Sequence, residues 1–228
     1  MVTATRRATA RSVAAGQTTG TVAVPLALHV SARIAERDAE DFLYDPTQLA
    51  NALRDLIGAI DPDGVPVSDS AVLLDGCRSV ADVPASPQLK AAVEATARLR
   101  ASFRDDIVLV AVLPGPAAVA ARTGADAAAA AEAVLALGKE FLGAGADMLI
   151  VQDEAESPGT SLSTLANVAR FHQAVALSHG HERYGLPGTV PVDLQAPAMA
   201  TGVATTPGQL PRDTDLSVLR DWVTAVRG

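Results

Sequence analysis

The strongest constraint on the fold is an alternation that begins at Thr21 and continues along most of the chain. Short apolar runs of strand length alternate with longer amphipathic stretches of helical period. This alternation is typical of parallel strands joined by crossover helices and indicates an α/β protein. We therefore predict a parallel (β/α) barrel of the TIM type.

The apolar runs predict five or six strands, fewer than the eight of a complete barrel. The clearest is Ile107–Leu113, a β-branched run that stops at Pro114. The other runs are Val22–Val30, Val65–Val67, Met148–Val151, Val190–Leu194 and a weaker Val203–Thr206. A reduced or incomplete barrel therefore stays open.

Helix-start signals recur between these runs. At Asp45-Pro46 and at Ser86-Pro87, an N-cap residue precedes a proline that fits the first helical position. Further helices are predicted from Asp126 to Leu142, from about Ser161 to Ser178, and from Thr214, the last with Trp222 on its apolar stripe.

The composition fits a single apolar core. Of the 228 residues, 49% are hydrophobic and 19% are charged, which is enough to build one sizeable domain. We assign residues 21–228 to that single domain. The preceding residues 1–20 are polar and threonine-rich, and they are predicted to form a flexible leader.

Charge and cysteine content exclude several classes of partner. The net charge is −8, and the basic residues cluster only at Arg6, Arg7 and Arg11, so no nucleic-acid partner is expected. No run approaches the roughly 18 apolar residues of a membrane span. The single cysteine, Cys77, forms no internal disulfide, which fits a reducing compartment and a cytoplasmic location.

Polar residues at the carboxyl ends of the predicted strands are the candidates for chemistry, because parallel α/β proteins bind ligands there. One histidine, one arginine and several carboxylates suit acid–base chemistry on an anionic substrate. The candidates in chain order are His29, Arg33, Asp69, Gly115, Gln152, Asp153, Asp193 and Gln195.

Several candidates also have a structural interpretation. Asp69 and Asp153 can instead cap the helices that follow them. Arg33 can pair with Glu36 or Asp38 on a solvated turn. His29 faces either the barrel or the surrounding helices, depending on strand register.

Two other histidines, His172 and His179, are seven residues apart and belong to the stripe of the helix predicted from about Ser161 to about Ser178. A helix outside a barrel faces strands rather than substrate, so we expect ordinary packed or partly exposed histidines. His181 lacks an evident third ligand near it, and no metal site is predicted.

Motifs at these strand ends resemble the uroporphyrinogen decarboxylase family, a group of parallel α/β barrels that also includes zinc-dependent corrinoid methyltransferases. The likeness runs through most of residues 22–197. Leu28–Arg33 is similar to the family's M-R-Q-A-G-R segment, with Arg33 at its second arginine and His29 in place of the first. Val67–Ser70 resembles F-S-D-I, whose aspartate corresponds to Asp69.

Two further segments extend the resemblance. Gly115-Pro116 matches the family's G-P turn, and Ala144–Asp147 followed by Gln152-Asp153 is similar to its A-G-A-D…F-D motif. The chain departs from the methyltransferase branch at Pro191–Pro197, where it has neither the histidine nor the cysteines of that branch. It resembles a shortened, divergent member.

The resemblance implies a lyase, a decarboxylase of a small or medium-sized carboxylated substrate. Arg33 would bind the carboxylate, while Asp69 and His29 would transfer protons or stabilise charge. No cofactor is implied. The residues expected to contact substrate are Gln152, Asp153, Asp193, Gln195 and Gly115.

Two alternatives stay open. The first is a methyl- or alkyl-transferase of the same family, with a metal held by histidine and carboxylate ligands. The second is a binding subunit without catalysis. The enzyme hypotheses require that one pocket brings together four side chains, those of His29, Arg33, Asp69 and Asp153. If these side chains point to different surfaces, the binding subunit is favoured.

The low strand count also predicts association. A sheet too short to close exposes its edge strands, and a second copy would cover them. We therefore predict a homodimer, with the segment from about Ala196 and the stripe of Trp222 as candidate contacts.

Overall fold

A computed structural model describes residues 5–36, 41–155, 157 and 159–228. Within these ranges, seven strands pair only in parallel and alternate for the most part with helices, which confirms the predicted α/β class. None of the described helices combines the length and apolar character needed to cross a bilayer.

The strands are β1 Thr21–Val24, β2 Gly64–Pro66, β3 Val108–Pro114, β4 Met148–Gln152, β5 Val175–Ser178, β6 Val190–Pro191 and β7 Gly202–Thr205. The helices are α1 Arg6–Ala14, α2 Leu28–Ile34, α3 Pro46–Ile60, α4 Ser70–Leu73, α5 Pro87–Phe103, α6 Pro116–Thr123, α7 Ala127–Gly143, α8 Ser163–Phe171 and α9 Leu216–Arg227. Short 3₁₀ helices cover Asp41–Tyr44 and Val83–Ala85.

The strands form two separate parallel sheets, ordered β2-β3-β4-β5 and β1-β7-β6. Isolated contacts connect the two sheets where their edge strands lie next to each other, at β5 with β6 and at β1 with β2. Ser178 forms a parallel bridge with Gly188, beside β6, and the amide of Asp63 donates to the carbonyl of Ala23 in β1 at 3.1 Å. The strands therefore follow one another in chain order, as in a TIM-type barrel, without joining into one continuous ladder.

One apolar cluster joins the two sheets. Alternate residues of β1, β3, β4, β5 and β7 pack together in it, while the opposite faces of these strands pack against helices. Gly64 of β2 faces the same interior, where there is no room for a side chain. A Cβ at this position would lie only 3.0 Å from Val24 Cγ2. The strand residues of the cluster are Val22, Val24, Val108, Val110, Met148, Ile150, Leu177 and Val203.

Helix α1 closes the amino-terminal end of this interior. Its residues Ala10 and Val13 are buried in the same cluster, and its Arg7 binds the buried carboxylate of Asp147. The prediction of a flexible leader is therefore wrong for residues 6–14. Arg6, Arg7 and Arg11 bind acceptors near the amino ends of the strands.

The predicted helix from Ser161 to Ser178 is wrong in its second half. Helix α8 ends at Phe171, Gln173 adopts a left-handed φ of 57°, and β5 follows. No glycine or proline marks this break, so the helical pattern in the sequence continues through it. The described strands therefore number seven rather than five or six.

The apolar stripe of the last helix packs inside the chain. Trp222 is completely buried, its Nε1 donates to the carbonyl of Val192 at 3.1 Å, and α9 packs against α3 and β1. The stripe of Trp222 is therefore not an exposed contact for a second copy, which corrects that part of the dimer hypothesis. The homodimer itself stays a prediction.

Candidate functional site

A cavity of about 810 Å³ lies at the carboxyl ends of β2, β3 and β4, where parallel α/β proteins bind ligands. Its wall combines apolar residues at the start of α6 with polar side chains from several strand ends. The polar residues that the following paragraphs consider are Asp69, Ser70, Gln152, Asp153 and Gln209.

His29 forms a hydrogen bond with Asp69, one of the residues that line this cavity. His29 lies in the first turn of α2 rather than in a strand, because β1 ends at Val24. Its Nε2 lies 2.8 Å from Oδ2 of Asp69, which lines the cavity and is only 5% exposed. The pair brings together two of the three predicted catalytic residues.

Asp69 remains a carboxylate despite its burial. Burial raises the pKa of Asp69, but hydrogen bonds from His29 and from the amides of Ala71 and Val72 hold that pKa below its ordinary value. The amide of Ala71 donates to Oδ1 at 2.8 Å, so Asp69 also caps α4. The two interpretations of Asp69 are therefore compatible.

Asp153 also lines the cavity, and its carboxylate accepts three hydrogen bonds. The amides of Ala117 and Ala118 at the start of α6 donate to it at 3.0 and 2.7 Å, and the hydroxyl of Tyr184 donates at 2.5 Å. Gly115 permits this approach, because a Cβ there would lie 2.1 Å from Asp153 Oδ2. Gly115 and Asp153 thus hold α6 against the end of β4.

Tyr184 is a hydrogen-bond donor that the sequence analysis missed. Burial and the neighbouring Asp153 carboxylate raise the pKa of Tyr184 to about 12, so its phenol stays protonated at neutral pH. Tyr184 follows β5, the strand that the sequence pattern concealed. Without that strand, nothing in the sequence placed Tyr184 near β4.

Gln152 is where the sequence analysis expected it. The hydroxyl of Ser70 donates to its Oε1 at 3.0 Å, which connects the ends of β2 and β4 across the cavity. Gln209, which follows β7 and also lines the cavity, was not predicted.

Five of the eight candidates do not line the cavity. His29 and Gly115 adjoin Asp69 and Asp153 of its wall, and the other three are Arg33, Asp193 and Gln195. Nη2 of Arg33 donates to the carbonyl of Thr214 at 2.6 Å. Asp193 and Gln195 are exposed and bind each other, with the amide of Gln195 donating to Asp193 at 2.8 Å. They lie beyond the cavity because β6 ends at Pro191 and the chain continues as a surface loop. Asp38, the alternative partner of Arg33, lies outside the described residues.

No protein-family model matches the chain, and no curated protein matches it. Among solved structures, a methyltransferase from Methanosarcina mazei superposes with a TM-score of 0.75, over 97% of this chain and 98% of that chain. The two sequences are 13% identical. The chain has the fold of that methyltransferase. At this identity the likeness concerns the fold alone.

The donor set does not fit the zinc that the family resemblance associates with methyl transfer. Among the described residues, no three His, Cys, Asp or Glu side chains lie close enough together to hold a metal ion. Cys77 is buried against the carbonyl of Leu73, and burial raises the pKa of its thiol.

His179 lies after β5 rather than on a helix, and it predicts a pH-dependent stability. Burial lowers the pKa of His179, whose Nε2 contacts the carbonyl of Thr206 at 3.1 Å. As pH falls below about 6.5, the unfolded chain takes up this proton before the folded chain does, so stability declines. Above that pH both states are neutral and the effect disappears.

Urea unfolding between about pH 7.5 and pH 5 measures this decline. His179→Gln keeps an N–H donor for Thr206 but does not titrate, so we expect a flatter pH dependence. His172→Asn, at an exposed position, is the control and should unfold like the unmodified chain. An unchanged slope in His179→Gln would show that His179 is not the group responsible.

Proposed function

We propose that the chain transfers a methyl or other small alkyl group between small molecules bound in the cavity at the carboxyl ends of its strands. The observation that carries this proposal is the contact of 2.8 Å between His29 and Asp69, a carboxylate that lines the cavity. The fold shared with a methyltransferase supports group transfer over the decarboxylation expected from the sequence.

The pair can supply a general base. A carboxylate only accepts hydrogen bonds, so Nε2 of His29 carries the proton toward Asp69 and Nδ1 has a free lone pair. Within the described ranges, Nδ1 makes no hydrogen bond, and the side chain is 28% exposed. His29 can therefore accept a proton while Asp69 stabilises the resulting imidazolium.

The transfer step follows from this arrangement. A hydroxyl or thiol of the acceptor gives its proton to His29, and its oxygen or sulfur forms a bond to the alkyl carbon of the donor. The bond between that carbon and the donor's leaving atom breaks, and the leaving atom keeps the electron pair. His29 then returns the proton to the leaving group or to water.

The charges around the cavity favour a neutral or cationic ligand. The carboxylates at its wall are Asp69, Asp75, Asp153 and Glu154, whereas Arg122 is the arginine there. Arg122 is half exposed, and its Nε already donates to the carbonyl of Cys77 at 3.1 Å. The carboxylated substrate expected from the sequence therefore receives no support from this wall.

Isotope tracing tests the proposal. The purified chain is incubated with ¹³C-methyl sulfonium, ammonium and ether donors and with small thiol and alcohol acceptors, and the ¹³C-methyl resonance is followed by NMR. We expect the label to appear on an acceptor. A parallel incubation uses small acids labelled with ¹³C in the carboxyl group. Release of labelled CO₂ from these acids, with no methyl transfer in the first incubation, would favour decarboxylation and contradict the proposal.

A further inference from the structure

Gln209 is held in the cavity wall by the loop that follows β7. The hydroxyl of Thr206 accepts from the amide of Leu26 at 3.1 Å and donates to the carbonyl of Gly208 at 2.8 Å. The amide of Leu210 donates to the carbonyl of Leu26 at 2.8 Å. Bonds on both sides of Gln209 thus fix the loop to the segment after β1, close to His29 in sequence.

The side-chain amide of Gln209 is buried and unsatisfied. Both Oε1 and Nε2 are inaccessible to solvent, and neither has a hydrogen-bond partner among the described residues. The other amide in this wall, Gln152, has its Oε1 bound by Ser70. Burial of an amide without partners is unfavourable, so such a group in a cavity wall calls for an explanation.

We propose that Gln209 recognises the substrate, and that the cavity binds uncharged molecules with adjacent N–H and C=O groups, such as primary amides, lactams or imides. The glutamine amide carries one acceptor and one donor side by side, and a rotation of its side chain into the cavity would let it form two parallel hydrogen bonds with that edge. This inference rests on the proposed function in one respect, that the cavity is the substrate site.

A carboxylate ligand would satisfy this amide less well. It could accept from Nε2, but its second oxygen would face Oε1 with no proton between them. It would also bring negative charge toward Asp69 and Asp153, which line the same cavity. Both effects favour the uncharged amide edge.

The inference predicts how a substitution of Gln209 changes the unfolding temperature. Replacing an unsatisfied buried amide with an apolar group of similar shape removes a cost, so Gln209→Met should unfold at the same temperature or a higher one. Gln195→Met, at an exposed glutamine outside the cavity, is the matched control. Marked destabilisation of Gln209→Met alone would show that the amide is already satisfied within the fold, and would overturn the inference.

Binding of two small probes gives the decisive test. The lactam 2-pyrrolidinone has the donor and acceptor edge, whereas γ-butyrolactone has nearly the same shape and only acceptors. NMR titration of the labelled chain should give saturable lactam binding, weaker by at least about tenfold for the lactone. Gln209→Met should lose this preference, while Gln195→Met should keep it.

Equal affinity for the two probes, no saturable binding of the lactam, or an unchanged preference in Gln209→Met would each overturn the inference. The outcome is separable from that of the proposed function, because binding is measured without turnover. If the lactam binds through Gln209 and no alkyl transfer is found, the ligand class holds and the proposed function fails. If transfer occurs but amides do not bind, the proposed function holds and the ligand class is wrong.

Discussion

Replacing Asp69 by asparagine is expected to slow alkyl transfer at least about 100-fold while leaving the fold intact. Asparagine keeps an oxygen for the amide of Ala71, so the cap of α4 is preserved. It carries no negative charge, so the protonated form of His29 loses its stabilising partner. Steady-state kinetics with the donor and acceptor found by isotope tracing measure the loss.

Asp126→Asn is the matched control for this change. Asp126 also caps a helix, with its Oδ1 accepting from the amide of Ala129 at 2.8 Å, but it does not line the cavity. We expect Asp126→Asn to transfer at the rate of the unmodified chain. If Asp69→Asn were equally active, the role assigned to Asp69 would be wrong.

Replacing Asp147 by alanine is expected to lower the free energy of unfolding by about 3 to 5 kcal/mol. The carboxylate is 2% exposed, binds Arg7 and Arg100, and accepts from the amide of Leu109 at 2.9 Å. Without the Asp147 carboxylate, the largely buried guanidinium of Arg100 loses its charge partner, and the amide of Leu109 loses its hydrogen-bond acceptor. Thermal unfolding should shift down by about 10 °C.

Asp105→Ala is the control, because it also removes an ion pair with Arg7 of α1, but an exposed one instead of a buried one. Asp105 is 52% exposed and binds Arg7 at 3.2 Å. An exposed pair of this kind contributes up to about 1 kcal/mol, so Asp105→Ala should be close to the unmodified chain in stability. Similar losses in the two variants would contradict the distinction between buried and exposed pairs.

Features with a local cause could be predicted from the sequence. Asp45, Ser86 and Asp126 each cap the helix expected to start there, because a capping side chain and its backbone donors lie within a few residues. The long strand β3 was equally clear, since a β-branched run between a helix and a proline has few other interpretations.

Features that depend on distant partners could not be predicted. α1 packs on the apolar cluster between the two sheets through Ala10 and Val13, and Arg7 reaches a carboxylate that lies 140 positions later in the chain. β5 was hidden because Val175 continued a helical pattern. In both cases a tertiary contact decided the structure against the local pattern.

The candidate site was predicted in part for the same reason. Asp69, Gln152 and Asp153 follow strands that were recognised, and parallel strands bring their carboxyl ends together. Tyr184 follows the strand that was missed. Gln209 reaches the cavity from a loop whose course depends on its hydrogen bonds to Leu26, which no local pattern reveals.

The most direct test of the central claim is alkyl transfer by His29→Asn compared with His172→Asn. Both variants remove one imidazole, but His29 contacts Asp69, which lines the cavity, whereas His172 is exposed at the end of α8. We predict that the ¹³C-methyl label moves to the acceptor in the unmodified chain and in His172→Asn, and that His29→Asn transfers it at least about 100-fold more slowly. Transfer by His29→Asn at the unmodified rate would contradict the account.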